Sequence, residues 1–419
     1  MPLGTAGDVN PYIGLGVGLQ RRGHEVIVAA NPAYERVVVA AGLEHRALGC
    51  AEVLRQFDSD PRIRRLSQAW SVALRWGAVG HMREMYRVAE ELHRPGETVL
   101  VAPGMGFGAR LAREKLGIPL LTIHLEPDKL RSVYESSVMP PPLCLADWVP
   151  AWSKRLQLWC ADRFVVDRLF KPVDEFRREL GLPPQARYVH RWWHSPDRVV
   201  GFFPDWYQPR QPDWPVQMTP VGFPLWDRGT SAELPNDVEE FLAEGEPPIV
   251  FTTGSNNMDA ARFFAESVAA CRAMNRRAVL LTAYRTQLPK VLPPSIRHAT
   301  YVPLSKLLPR AAAIAHHAGI GTIAAACAAG IPQLLTPLTF NQPDDAARVA
   351  RRGLGLVVAP RRYRAERIAR TLDELIRSET IRSRCREIAQ HMAGENGIER
   401  ACEVLESIHE RSEAAAGVR

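Results

Sequence analysis

Two short stretches of the sequence place chemistry-bearing residues at turns. GTAGDVNP sets Gly4, Thr5, Gly7 and Asp8 where a helix begins, in the manner of a ligand-binding turn. Far downstream, IAHHAGIGT ends an apolar run at His316 and passes through Ala318, Gly319 and Gly321 to another helix start near Thr322. Backbone N–H groups at a helix start can hold an anion, and glycines keep the turn open to it. A diphosphate suits that loop, with His316 as a further hydrogen-bond donor; a plain strand-to-helix turn is the alternative. Past the next apolar run, Asn341 and Gln342 fall at the same rim, where their amides can meet sugar hydroxyls. Two more loops converge there. VFTTGSNN offers Gly254 and Ser255 to phosphate oxygens, and TYVPLSKLLP sets Tyr301 before Val302, an aromatic ring able to stack on a pyrimidine base. Asp8 by itself reads as a helix N-cap, a position that favours Asp.

Two other patterns compete. FDSDP contains Asp58 and Asp60 in the D-x-D spelling of metal-dependent sugar transfer, but Asp60 before Pro61 suits a helix start better. VLVAPGMGFGARLAREKLG spells G-x-G-x-x-A with Gly104, Gly106 and Ala109, and Glu126 follows some twenty residues on. That is the fingerprint of a dinucleotide-dependent oxidoreductase, although it lies outside the first βαβ unit. His124 and Glu126 read instead as lining an acceptor site, or as simply closing a strand.

The elements that must position these loops recur twice along the 419 residues, a length that implies two domains. HEVIVAA, ETVLVAP, IPLLTIHL and DRVVGFF are strand candidates in the first half, and PPIVFTTG, RAVLLTA, AAIAHH and IPQLLTP in the second. Continuous apolar runs separated by helices indicate parallel sheets covered on both faces. The resulting class is α/β: an N-terminal domain over 1–222, a second over 236–395, and a helical tail over 396–419. MTPVGFPLWDRGTSAELPND lacks periodicity and reads as the linker. Between Ile63 and Gly181, helical stretches rich in Arg and Trp interrupt the first domain. They read as a helical insertion packed on the sheet, or as an acceptor pocket with a basic amphipathic rim able to lean on a membrane.

Composition narrows the class. With 46% hydrophobic and 24% charged residues the chain is an ordinary globular protein, and a net charge of +7 fits anionic substrates or a membrane surface without implying nucleic acid. The seven cysteines are scattered without a C-x-x-C pair, which argues against structural zinc or a disulfide framework and for a reducing cytoplasm.

HHAGIGT…GIPQLLTPLTFNQPDDAARV resembles the donor-binding segment of the UDP-glycosyltransferase superfamily, and GTAGDVNPYIGLGVGLQRRGHEV resembles its N-terminal acceptor loop. Within the superfamily, RWWHSPDRVVGFFPDWYQPRQPDWP and GFPLWD resemble the branch containing the rhamnosyltransferase of rhamnolipid synthesis. The resemblance implies a GT-B fold, two Rossmann-like domains facing a cleft. It places Asp8 on the catalytic-base position, with Gly4, Thr5 and Gly7 in the acceptor loop around it. His316, Ala318, Gly319, Gly321 and Thr322 fall on the diphosphate loop, Gly254 and Ser255 on the phosphate turn, Tyr301 and Val302 on the base loop, and Asn341 and Gln342 on the sugar-contacting pair. Ala318 stands where the family usually has Gly, and Asn341 where it usually has Asp. The family also carries a short strand before the first loop, whereas only Met1, Pro2 and Leu3 stand here, so a start site further upstream or a truncated chain is expected.

The implied reaction is an inverting, metal-independent and cofactor-free transfer of a sugar, rhamnose or another hexose, from a dTDP- or UDP-sugar to a hydroxyl of a hydrophobic acceptor, lipid or small aglycone. Asp8, ordinarily ionised at neutral pH, would take the proton late, as a weak base. The partners expected are a nucleotide-sugar donor and that acceptor, with no nucleic acid. The location expected is the cytoplasm, with peripheral contact at the inner membrane face. A non-catalytic relative that binds a nucleotide sugar is the remaining alternative.

Overall fold

The computed structural model describes residues 1–53, 56, 60–64, 66–138, 148–227, 233–254 and 260–416. The chain forms two compact units, Met1–Pro224 with Asn396–Arg419, and Leu225–Glu395.

The first unit begins with helix α1 (Ala6–Arg21), followed by β1 (Ile27–Ala30) and β2 (Glu44–Ala47), which pair in parallel. Among the described residues no strand precedes α1; the Met1 ammonium donates to the Val101 carbonyl at 2.7 Å. Helix α2 (Gly80–Glu91) leads to β3 (Leu100–Pro103), helix α3 (Phe107–Leu116) and β4 (Leu120–His124). Helix α4 (Ala151–Ala161) then precedes β5 (Arg198–Gly201) and β6 (Met218–Pro220). The four strands β3 to β6 make a parallel sheet in chain order, and β4 is buried along its whole length. Helices must therefore approach closely. A Cβ on Gly108 would stand 2.3 Å from the Met82 carbonyl oxygen, so glycine is what lets α3 seat against α2.

The second unit carries β7 (Ile249–Thr252), β8 (Ala278–Leu281), β9 (Ile296–Ala299), β10 (Ala313–His316), helix α5 (Ile320–Ala329), β11 (Gln333–Leu335), helix α6 (Gln342–Arg351) and β12 (Gly355–Val357). Its six-stranded parallel sheet has the order β12-β11-β10-β7-β8-β9. Strand succession reverses between β7 and β10, and in open α/β sheets ligands bind outside the carboxyl ends at such a switch point. The core is continuous on both faces of this sheet, with Phe251, Phe264 and Leu280 on one and Val250, Ile314 and Leu307 on the other.

The chain finally returns to the first unit as helix α7 (Gly397–Ala416). Its docking needs a bare backbone on α1: a Cβ on Gly18 would lie 2.9 Å from Ile398 and 3.0 Å from Cys402. Arg22 then bridges to Glu399 and Glu406 at 2.9 and 2.7 Å. Overpacking this contact by Gly18→Val is expected to cost about 1–3 kcal/mol of stability and to expose the segment near Asn396 to limited proteolysis.

Candidate active site

In the first unit the site is built at the start of α1. Thr5 is the N-cap and Asp8 sits three residues on, so the capping position belongs to Thr5 and not to Asp8. One carboxylate oxygen of Asp8, Oδ2, accepts from the Thr5 backbone N–H at 2.7 Å and from its hydroxyl at 2.9 Å. Gly4, at φ +118, has no side chain to obstruct it; a Cβ there would stand 2.4 Å from Oδ2. Gly7 is under no such constraint, its nearest neighbour being the Thr5 hydroxyl at 3.8 Å. Burial raises the Asp8 carboxyl above the usual aspartate range, against the donors of Thr5 and the Lys129 charge. Asp8 is therefore a stronger base than an unperturbed aspartate, correcting the weak base expected from the sequence.

Facing groups complete a charged cluster. Burial pushes Glu126 up to about 8, with Asp128 and Asp8 adding to the shift and Lys129 opposing it. Lys129 lies 2.7 Å from Asp128 and 3.8 Å from Glu126. The Tyr12 hydroxyl and Asn10 Oδ1, on the first turns of α1, are buried with no hydrogen-bond partner among the described residues. Burial holds Tyr12 in its neutral form, reinforced by the charges of Asp8 and Glu126. Such polar atoms beside a perturbed carboxylate mark a candidate functional site. Sequence reading found Asp8 and Glu126 but missed Tyr12 and Lys129. Tyr12 was legible as the residue one helical turn beyond Asp8.

His124 is fixed by a relay. Trp193 Nε1–H can only donate, and it points at His194 Nε2 at 3.2 Å. His194 must then carry its proton on Nδ1 and give it to His124 Nε2 at 3.0 Å, leaving the His124 proton on Nδ1. Burial holds both rings neutral, His194 down to about 3. The same rings fill the G-x-G-x-x-A turn: a Cβ on Gly104 would meet His124 at 2.8 Å and Trp193 at 3.4 Å. Gly106 is equally enclosed, by Ala102 and the Pro103 carbonyl. Those glycines serve packing. In the D-x-D pattern, Asp60 closes onto Arg62 at 2.6 Å, and Asp58 lies outside the described residues.

The second unit gathers its loops at the sheet's switch point. His316 is committed inside the protein: Nδ1 accepts from the Ala318 N–H at 3.2 Å, and Nε2 donates to Gln333 Oε1 on β11 at 3.0 Å. Burial keeps it neutral, down to about 3. Its expected role as a donor to diphosphate is therefore corrected, since neither nitrogen is left. The next residue is differently placed. The His317 ring lies against Gly254 and Gly319, where a Cβ would stand 2.7 and 2.5 Å from it, and its buried Nδ1 has no partner among the described residues. Gly254, at φ +83, turns the chain after β7. Ser255 lies outside the described residues. Gly319 is the N-cap of α5, which has no side-chain cap, and Gly321 faces open space. Thr322 N–H is already bonded to the Gly319 carbonyl at 3.0 Å. Ala318 occupies the left-handed region at φ 67, which explains glycine as the usual residue there.

The remaining donor-side residues divide. Tyr301 is exposed, its hydroxyl 3.4 Å from Asp227, whereas the Val302 side chain is buried in the core and has only its backbone to offer a base. Asn341 Nδ2 donates to Asp345 at 2.7 Å. Gln342 Oε1 accepts from the Leu338 and Thr339 N–H groups at 2.8 and 3.0 Å, which braces the loop before α6.

Two substitutions separate the histidines. His316→Ala is expected to lower stability by about 1–3 kcal/mol, because it orphans Gln333. His317→Ala is expected to cost less than His316→Ala in thermal unfolding, because its Nδ1 has no partner among the described residues to lose. The raised Glu126 carboxyl binds a proton when folded that it loses when unfolded, so its contribution to stability is present at low pH and is lost as pH rises from about 4.5 to 8. Glu126→Gln is therefore expected to match wild type near pH 4 and to exceed it at pH 8 by on the order of 1–2 kcal/mol in denaturant unfolding.

The sequence matches two family models, the glycosyltransferase family 28 N-terminal domain over residues 1–135 and the erythromycin biosynthesis protein CIII-like C-terminal domain over residues 268–408. It is 31% identical to the O-mycaminosyltylonolide 6-deoxyallosyltransferase of Streptomyces fradiae over 424 residues, covering 97% of this chain and 96% of that one. Glycosyltransferase GtfE of Amycolatopsis orientalis is 28% identical, with 84% and 83% covered. Among solved structures, the glycotransferase of kitacinnamycin superposes with a TM-score of 0.74 at 20% identity, covering 96% of each chain. The spinosyn rhamnosyltransferase SpnG does so with a TM-score of 0.69 at 20% identity, covering 97% of this chain and 98% of that one. The oxidoreductase alternative and the non-catalytic alternative both yield to these likenesses. This chain therefore belongs to the glycosyltransferase family that includes the Streptomyces fradiae 6-deoxyallosyltransferase, and it has the GT-B fold.

Proposed function

We propose that this glycosyltransferase moves a 6-deoxyhexose, rhamnose foremost, from a dTDP- or UDP-sugar to a hydroxyl of a hydrophobic aglycone, with inversion and without a metal. The observation that carries the reading is the Asp8 carboxylate, held by Thr5 over a bare Gly4 and raised in basicity by burial. It takes the proton of the acceptor hydroxyl as that oxygen bonds to the anomeric carbon. The bond from the anomeric carbon to the diphosphate oxygen breaks, and the diphosphate leaves with the electron pair. The N–H groups at the start of α5 and the neutral His317 ring are suited to receive that charge, because preorganised dipoles stabilise it without reorganisation. Glu126, protonated near neutral pH, is suited to hydrogen-bond the acceptor as a donor.

The sugar and acceptor classes rest on relatives. A 6-deoxyallosyltransferase acting on O-mycaminosyltylonolide and a rhamnosyltransferase solved with thymidine diphosphate and with spinosyn aglycone both support a 6-deoxyhexose, a dTDP leaving group and a bulky apolar acceptor. A lipid acceptor is the second choice, favoured only by the sequence resemblance.

Asp8→Asn keeps an oxygen for the Thr5 N–H while removing the base. It is expected to lower kcat about 10²–10⁴-fold with KM and thermal stability nearly unchanged. In wild type, kcat/KM is expected to rise with pH through an acid limb placed above the usual aspartate value, as the raised Asp8 carboxyl ionises. Transfer by Asp8→Asn at the wild-type rate would remove the basis of this reading.

A further inference from the structure

Helix α4 is built inside out. Its inner side buries Lys154, only 1% exposed, while Trp152, Leu156 and Trp159 stand 68%, 54% and 48% exposed. Their spacing of four and three residues aligns them on one helical face. Trp148, in the turn before the helix, is 84% exposed, and Phe164, just beyond it, is 51% exposed and meets Trp159 edge-on with ring centroids 6.1 Å apart. A folded protein ordinarily encloses side chains of this size, so a contiguous run of them in solvent calls for a partner.

The charges on the same surface have one sign. Arg155, Arg163, Arg168 and Lys171 are exposed and have no carboxylate partner among the described residues; Arg155 reaches only the Tyr134 hydroxyl, at 3.3 Å. The neighbouring acids are used elsewhere. Asp162 is buried against Arg131, and Asp167 accepts the Arg187 N–H at 3.1 Å. Trp, Phe and Leu interleaved with unpaired cations are the composition of a helix lying in a bilayer interface, where indole rings sit at the headgroup level and guanidinium groups meet lipid phosphates. Among the described residues no helix is long and apolar enough to cross a membrane.

We propose that the face of α4 bearing Trp148, Trp152, Trp159 and Phe164, with Arg155 and Arg163, docks the protein on an anionic lipid bilayer. The test of this surface does not depend on turnover. The full chain would be sedimented with vesicles of phosphatidylcholine alone or with about one-third phosphatidylglycerol, at low and high salt. Binding is expected to the anionic vesicles only and to fall as salt rises. Trp152→Ser with Trp159→Ser is expected to weaken it roughly tenfold or more. Arg155→Gln, Arg163→Gln and Arg168→Gln together are expected to weaken it about a hundredfold. Thermal unfolding should be unchanged in both variants. Equal binding to neutral vesicles, or none to anionic vesicles at low salt, overturns the proposal. So does a wild-type dimer in analytical ultracentrifugation that the tryptophan variant makes monomeric, because the face would then join two copies of the protein.

Discussion

The structure turns on one close approach, an oxygen of Asp8 set against a backbone position that has room only for hydrogen. Gly4 supplies the space, Thr5 supplies two donors, and the first turn of α1 supplies the rigid support. A carboxylate so enclosed has lost part of its water, and the donors restore only part of what burial removed. The balance leaves the Asp8 carboxyl above the usual aspartate range. Glu126 follows from the same constraint, since two carboxyls near one another in a poorly solvated place do not ionise together readily.

The loop after β10 obeys a parallel logic with histidine. His316 and His317 are adjacent in sequence and opposite in use. The first is spent on the β10–β11 contact through Gln333, and the second rests in a slot made by two glycines from separate loops. Gly254 and Gly319 are thus needed for the volume they do not occupy. The slot lies where the strand order of the sheet reverses, so topology and loop composition select the same place.

Much of this was legible from residues alone. The apolar runs expected as strands became β1, β3, β4, β5, β7, β8, β10 and β11. The strands that escaped reading, β2, β6, β9 and β12, all lie at sheet edges. Edge strands are short and bear charges, as EHRA and IRHA do, so the hydrophobic signal that marks an interior strand is missing. In the site, Asp8, Glu126, Gly254 and Gly319 could be read because their types and positions at turns restrict what they can do. The choice between His316 and His317 could not, because it depends on which ring finds Gln333 across a strand pair. The relay from Trp193 through His194 to His124 was hidden for the same reason: it joins residues some seventy positions apart that only the β4–β5 pairing brings together.

The return of α7 to α1 makes the first unit discontinuous in sequence, while the second is a single uninterrupted segment. During synthesis, domains fold as their segments leave the ribosome. Leu225–Glu395 can close as soon as it emerges, but the earlier-made unit must wait for its last helix. Until then the groove beside Gly18 stays uncovered, which gives this protein a late, vulnerable stage in its biogenesis that the order of its domains along the chain would not suggest.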